Sequence, residues 1–306
     1  MPLSCATHSG PFHADDVLAW ALLKVFHCPD AVLVRTRDAA IHRASDIVFD
    51  VGGSYDPAQG RFDHHQSSYQ GPMSSAGMVL TWLEGEGRID AEVAAHLRRE
   101  VVDYVDAVDN GRVVPDPTVP CFPQIVEAYT QGNDSLEAFD AAFHRAAEFA
   151  KGFVEGIVAG IEQVRAATSA VLAAMDEAVA ARRAVMFMDA HYTWKPVYYA
   201  NGGADHPTDY VLFPGMEGTW RVVAIAPCQD SFDQKRPLPE AWAGLTGSSL
   251  EAVTGVEGAI FCHKNRFIAV FRDRKAALEA LNRHGLMHRD GADPLSAASE
   301  GVSFSA

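Results

Sequence analysis

LSCATHSGPFHADDVLAWALL, residues 3–23, runs from a short apolar segment through a bend at Gly10 and Pro11 into a second, longer apolar segment. The succession reads as strand, loop and buried helix, the opening step of an alternating α/β sheet. Its loop carries His8, His13 and Asp15, three donors that one turn of chain can present to a cation, and Asp16 follows directly. A lone histidine after a strand is usually a packing or surface residue, and Asp15 or Asp16 can equally cap the helix that starts near Val17. A capping role and a metal role do not exclude each other.

Two further segments end in the same kind of residue. DIVFD, residues 46–50, closes an apolar run on Asp50 just before Gly52 and Gly53, which puts a carboxylate at the carboxyl end of a strand. In open α/β sheets ligands bind at that edge; the plainer alternative is an aspartate ordering a glycine turn. The turn-rich YDPAQGRF leads into Asp63-His64-His65, three adjacent titratable groups that are costly to bury without partners. A cation would satisfy them, whereas an exposed loop tip would need none. Carboxylates mixed with imidazoles suit Mn²⁺, Zn²⁺ or Fe²⁺ better than Ca²⁺.

Outward from these segments, strands are expected at 3–7, 31–36, 47–51 and 61–63, and helices at 15–26, 75–83 and 91–108. Ser74 and Ser75 precede an apolar run, so one of them is expected to cap a helix whose N-terminus faces the DHH segment and welcomes a phosphate. VVPDPTVPCFP, residues 113–123, holds four prolines in eleven positions, which marks a boundary. The expected organisation is an α/β domain carrying the His/Asp segments over 1–114, a helical linker over 115–183, a smaller α+β domain over 184–290, and a tail over 291–306. In the third segment AVMFMD, VYYA, DYVLFPG, TWRVVAIAP, GAIFC and FIAVF all read as strands, and 275–284 reads as a closing helix. Trp194 and Trp220 are expected to pack the β core rather than stack on a base.

The formal charge of −15 argues against a protein that grips long nucleic acid through nonspecific phosphate contacts, since such proteins are usually basic. Five scattered cysteines without a C-x-x-C pair give neither a zinc knot nor a disulfide framework. The start MPLSCATHSG has no basic n-region and no uncharged stretch reaches membrane-spanning length, so a cytoplasmic protein with no membrane partner is expected; a homo-oligomer is compatible with the sequence.

Taken together, the three His/Asp segments resemble the DHH phosphoesterase superfamily, which includes RecJ-type exonucleases and family II inorganic pyrophosphatases. THSGPFHADD, RTRD, DIVFDVGGSYDP, RFDHHQ, SSAGMVL and VDAVDNG, with WRVVAIAP, RPLPEAW and GVEGAIFCHKNRF further on, resemble in order and spacing the melanocyte proliferating gene exonuclease family across nearly the whole chain.

The resemblance implies an N-terminal DHH-type parallel-sheet domain and a metal-dependent 3′ to 5′ exonuclease on RNA or short oligonucleotides, using water activated by two divalent cations. Mn²⁺ comes before Mg²⁺, Zn²⁺ or Fe²⁺. By the same resemblance His8, His13, Asp15, Asp50, His64 and Asp109 are metal ligands, with Asp106 as a further candidate. Asp50 bridges the cations, His65 faces the substrate and Asp63 orients the imidazoles. His13 stands where the superfamily usually has Asp. Ser74, Ser75, Arg236, His263, Lys264 and Arg266 are candidate substrate contacts, although a basic residue at a strand end is more often solvated surface. The alternatives are a phosphatase or pyrophosphatase for small phosphorylated metabolites, and a metal-binding scaffold without catalysis.

Overall fold

The computed structural model describes residues 2–289, so the expected tail falls outside the described residues. The chain forms a mixed α/β structure in two compact units, one up to Ile161 and one from Glu162 onward.

The first unit is organised around a five-stranded sheet of order β2-β1-β3-β5-β4. Strands β1 (Ser4–Thr7), β2 (Val32–Arg35), β3 (Ile47–Phe49) and β5 (Arg61–Phe62) run parallel, and β4 (Tyr55–Asp56) pairs antiparallel with β5 at the edge. β1 is followed in sequence by its neighbour on one side, β2, and then by its neighbour on the other, β3. The carboxyl ends of β1 and β3 therefore flank the point where the winding reverses, the place where such sheets bind ligands. His8 follows β1 and Asp50 follows β3.

Helix α1 (Ala14–Phe26) is buried over its first ten residues, Ala14 to Leu23. A helix apolar on every side belongs inside a core, and α1 packs against α3 (Ser75–Gly85), α5 (Asp103–Asp109) and α6 (Phe122–Thr130). Burial of the whole first turn leaves Asp15 and Asp16 fully inside the protein. The single helix expected over 91–108 is instead α4 (Ala91–Leu97), a π-helical turn (Arg98–Val102) and α5. Within that turn the Asp103 amide reaches back five residues to the Arg98 carbonyl. The proline-rich stretch 113–123 lies inside this unit, because α6 and the first part of α7 (Leu136–Ala180) bury Val126, Phe143, Ala146 and Val154 in the same core.

The second unit has a five-stranded sheet of β6 (Val185–Phe187), β7 (Tyr210–Pro214), β8 (Trp220–Ala224), β9 (Ala259–Cys262) and β10 (Ile268–Phe271) in the order β6-β7-β8-β10-β9, in which β6 and β7 pair parallel and the other neighbours antiparallel. Alternation along the strands divides its core. Val185, Tyr210 and Leu212 face a cluster with α9 (Gly247–Thr254) and α10 (Arg274–Arg283), while Met186, Val211 and Phe213 face one with the second half of α7 and α8 (Trp194–Ala200). The VYYA run expected as a strand is therefore part of helix α8. Trp194, Val197 and Tyr198 recur at helical spacing and are buried, and Pro196 sits in the first turn, where its missing N–H has no intrahelical partner to lose. Helix α7 is the one described helix long and apolar enough to cross a membrane, with a mean hydropathy of 1.3 over 18 residues. Alanines supply much of that hydropathy, and its buried alanines line the cores of both units. Cys5, Cys28 and Cys262 are buried free thiols.

Candidate metal centre

The centre is built where β1, β3 and β5 end, roofed by the first turns of α1 and α3 and the last turn of α5. Asp50 leaves β3 with φ of 56°, a left-handed conformation in which few side chains other than Asn and Asp are common. That turn aims its two oxygens at different partners. Oδ2 lies 3.1 Å from His8 Nε2, and Oδ1 lies 3.3 Å from His64 Nε2 and 3.7 Å from His65 Nδ1.

Around Asp50 the remaining groups fall into three sets in which every donor atom lies within 4.8 Å of the others: His8, Asp16 and Asp50; Asp50, His64 and His65; and His13, Asp15 and Asp109. His64 links the sets, with Nε2 at 3.1 Å from Asp109 Oδ2 and 3.8 Å from Asp15 Oδ2. The structure thus brings together His8, His13 and Asp15 of the first loop with Asp50, His64 and Asp109 from distant segments. It adds Asp16, which the sequence offered only as a cap. Asp16 does both: Oδ1 accepts from the His13 and Val17 amides at 3.0 and 2.8 Å, while Oδ2 lies 3.3 Å from His8 Nε2.

The electrostatics are those of an under-neutralised site. Burial pushes the Asp15 carboxyl well up, reinforced by Asp50, Asp109 and Asp16 and only partly offset by the Ser75 hydroxyl. Burial also raises Asp16 against the pull of His8, and Asp109 against that of His64. Asp50 moves the other way, since hydrogen bonding from His64 and His8 outweighs its burial and holds it below the usual carboxylate range. Burial works against a charged His8 ring, yet Asp16 and Asp50 together push it up to about 10. Asp15 Oδ1, Asp16 Oδ2, Asp50 Oδ1 and His64 Nε2 are buried with no aligned hydrogen-bond partner. Orphaned acceptors on three carboxylates, two of them facing imidazole nitrogens, are the donor set of a hard to borderline cation.

Asp106 does not join these sets. Its Oδ1 accepts from Ser74 N at 2.9 Å, Ser74 Oγ at 2.6 Å and Gly77 N at 3.1 Å, so it caps α3 from outside that helix. Ser75 donates from N and Oγ to Asp15 Oδ2 at 3.3 and 2.9 Å. Both serines are fully buried. At the α3 N-terminus expected to receive a phosphate, the Ser74, Ser75 and Gly77 amides and both serine hydroxyls are engaged by the protein's own carboxylates, Asp106 and Asp15.

Asp63 meets His65 and not His64. Its Oδ1 lies 2.8 Å from His65 Nδ1, while Oδ2 accepts from the Gly53 amide at 2.5 Å and ties down the turn after Asp50. His64 Nδ1 is instead 3.4 Å from Asn110 Oδ1, and Asn110 is anchored by its Nδ2 to the Asp106 carbonyl at 2.9 Å. Asn110 was legible only as part of the DNG element. The side chain of His65 is 60% exposed, which leaves it open to a substrate.

The basic candidates belong to the second unit. Arg236 donates to the carbonyls of His288 and Gly285, and Arg266, at φ 59°, turns the chain between β9 (Ala259–Cys262) and β10 (Ile268–Phe271). The His263 ring packs on Phe267 at 4.4 Å, and Lys264 is exposed. Trp194 is buried in the core beside α7, and Trp220 is half-buried under Arg274.

The model of an uncharacterised protein family, UPF0160, matches residues 4–284. A MYG1 protein of Chlamydia pneumoniae is 36% identical over 283 residues, covering 92% of this chain and 96% of its own. The human MYG1 exonuclease is 31% identical over 319 residues, covering 90% and 84%, and a yeast MYG1 protein of Saccharomyces cerevisiae is 30% identical over 322 residues, covering 91% and 94%. No solved structure matches. With a family model spanning almost all of its length and relatives from bacteria to mammals aligned along nearly the whole chain, this protein belongs to the MYG1 family, UPF0160.

Proposed function

We propose that the chain is a metal-dependent phosphodiesterase of the DHH type, a 3′ to 5′ exonuclease acting on RNA or short oligonucleotides. The observation that carries the reading is the meeting of Asp15, Asp16, Asp50 and Asp109 with His8, His13 and His64 around orphaned buried oxygens. The names of the human, rat and bovine relatives, each a MYG1 exonuclease, support the reaction class. In this reading His8, Asp16 and Asp50 would hold one cation, and His13, Asp15, Asp50, His64 and Asp109 would hold a second; Mn²⁺ is the favoured ion. Bound there, divalent cations supply Lewis acidity toward a phosphoryl oxygen and lower the pKa of water.

The chain's own residues do the rest. Asp50 offers one oxygen to each side of the centre, and its twisted backbone fixes that division. Ser75 holds Asp15, and Asn110 holds His64, so that neither ring nor carboxylate turns away when a substrate arrives. His65 gives Nδ1–H to Asp63 Oδ1, which orients the exposed ring toward an incoming phosphoryl group. Since the net charge is −15, attraction for a polyanion has to come from a local cationic cleft or from cations held at the centre.

Digestion of an end-labelled oligoribonucleotide with Mn²⁺, beside pyrophosphate and a cyclic dinucleotide, tests the reading. Stepwise loss of 3′ nucleotides is expected, with His64→Ala slower by at least about a hundredfold. Unchanged turnover in His64→Ala would remove its basis. Release of phosphate from pyrophosphate alone would favour the small-metabolite reading, and stabilisation by Mn²⁺ without any cleavage would favour a scaffold.

A further inference from the structure

A cavity of about 390 Å³ adjoins the His/Asp cluster and shares His13 and Asp109 with it. Away from those two residues the walls are apolar: Pro11 and Phe12 from the first loop, Ala14 from α1, Val105 and Val108 from α5, and Pro123 from α6. Phe12 is 1% exposed and held edge-on against Phe143, with ring centroids 5.4 Å apart at 83°, so that wall is rigid. Glu127 and Thr130 of α6 complete the lining, and the Thr130 hydroxyl donates to the Glu127 carbonyl at 2.7 Å. No lysine or arginine lines the cavity.

A cavity of this composition beside a phosphoryl site sorts substrates by what the phosphorus carries. The volume lies within the range of about 300–1,000 Å³ typical of small-molecule sites, and apolar walls favour a flat base and sugar carbons. Pyrophosphate has no part that gains from such walls. Two carboxylates, Asp109 and Glu127, line the cavity with no lysine or arginine among the lining, so a second phosphate entering it meets like charge and loses hydration. A chain continuing through would have to place its next phosphate there; a chain that ends there would not. The Glu127 carboxylate can also accept hydrogen bonds from the hydroxyls of a terminal sugar.

We infer that this cavity is the subsite for the terminal nucleoside of the substrate and that Glu127 rejects a terminus bearing a phosphate. The inference rests on the phosphodiesterase reading for its place in the reaction, but the cavity's preference for an uncharged nucleoside is measurable without turnover.

The experiment pairs binding with kinetics on the full chain. Adenosine and adenosine 3′-phosphate are titrated by saturation-transfer NMR into the metal-free protein, into Thr130→Trp, which fills the cavity from α6, and into Glu127→Arg; Mn²⁺ affinity is measured alongside. Adenosine is expected to bind the unmodified protein and to lose at least about tenfold in Thr130→Trp, with Mn²⁺ affinity unchanged. Glu127→Arg is expected to cut the preference for adenosine over its 3′-phosphate by about tenfold, and to do the same for hydroxyl-ended over phosphate-ended oligoribonucleotides in kcat/KM. Equal adenosine binding in Thr130→Trp, or an end preference untouched by Glu127→Arg, would overturn the inference. Should the unmodified protein cleave no phosphoester, the phosphodiesterase reading falls, and the binding arm still decides the cavity.

Discussion

Asp16 shows how one carboxylate can be read correctly and still be half missed. Its place at the start of a helix made it a cap, and it is one, through Oδ1 to the His13 and Val17 amides. Sequence carries no sign that the second oxygen turns toward His8, because that depends on where β3 delivers Asp50. The two roles separate on substitution. Asp16→Asn keeps an oxygen for the cap and loses the charge beside His8, so the folded protein is expected to survive while Mn²⁺ stoichiometry falls from two to one by calorimetric titration. Two retained sites in Asp16→Asn would mean that Asp16 is only a cap. His8, His13, Asp15, Asp50 and His64 were legible as candidates because each ends an apolar run or sits in a titratable cluster that burial would penalise, whereas Asp109 was legible only through the resemblance carried by its DNG element. Asp106 was misleading for a geometric reason: three residues along a helix differ by roughly 60° about its axis, enough for Asp109 to meet His64 while Asp106 meets α3.

At the level of elements, α3 and α5 are joined end to side by Asp106, which collects three donors from the first turn of α3. Gly77 is required there, since a β-carbon at that position would collide with the Asp106 carboxylate. Burial raises the Asp106 carboxyl against the lowering effect of those donors, so the acceptor matters more than the charge. Asp106→Asn is therefore expected to lie within about 1 kcal/mol of the unmodified protein in urea unfolding, whereas Asp106→Ala, which strands buried donors, costs about 2–4 kcal/mol. A mild Asp106→Ala would show that α3 is held by packing alone. Strands β1, β2, β3 and β5 could be read from sequence because short apolar runs end at turns. Helix α8 could not, since VYYA has strand composition and only the longer spacing of Trp194, Val197 and Tyr198 reveals a helix. Helix α2 (Ala39–Ala44) escaped notice because it is a single short turn signalled by little beyond its Asp38 cap, which accepts from the Ala40 amide at 2.7 Å.

For the molecule as a whole, the first unit carries every residue of the centre, so a cation that binds there stabilises that unit by mass action. Saturating Mn²⁺ is expected to raise the melting transition of the first unit by about 5 °C or more over the protein in chelator. Protons compete for the same oxygens. Asp15, Asp16 and Asp109 have carboxyls raised by burial, so they hold protons at higher pH than free carboxylates do, and the gain from Mn²⁺ should shrink as pH falls through that raised range. A Mn²⁺ effect that grows on acidification would contradict the site as drawn. The wholly buried first turn of α1 has one further consequence, for synthesis on the ribosome. His8, Asp15, Asp16 and Asp50 emerge early, but Asp109 and the Asp106 brace arrive only with α5, so a nascent chain stopped before α5 holds acidic groups it has no means to enclose. Such a truncated chain should stay open and open to proteases until translation passes α5, which makes that short helix the clasp that closes the N-terminal half.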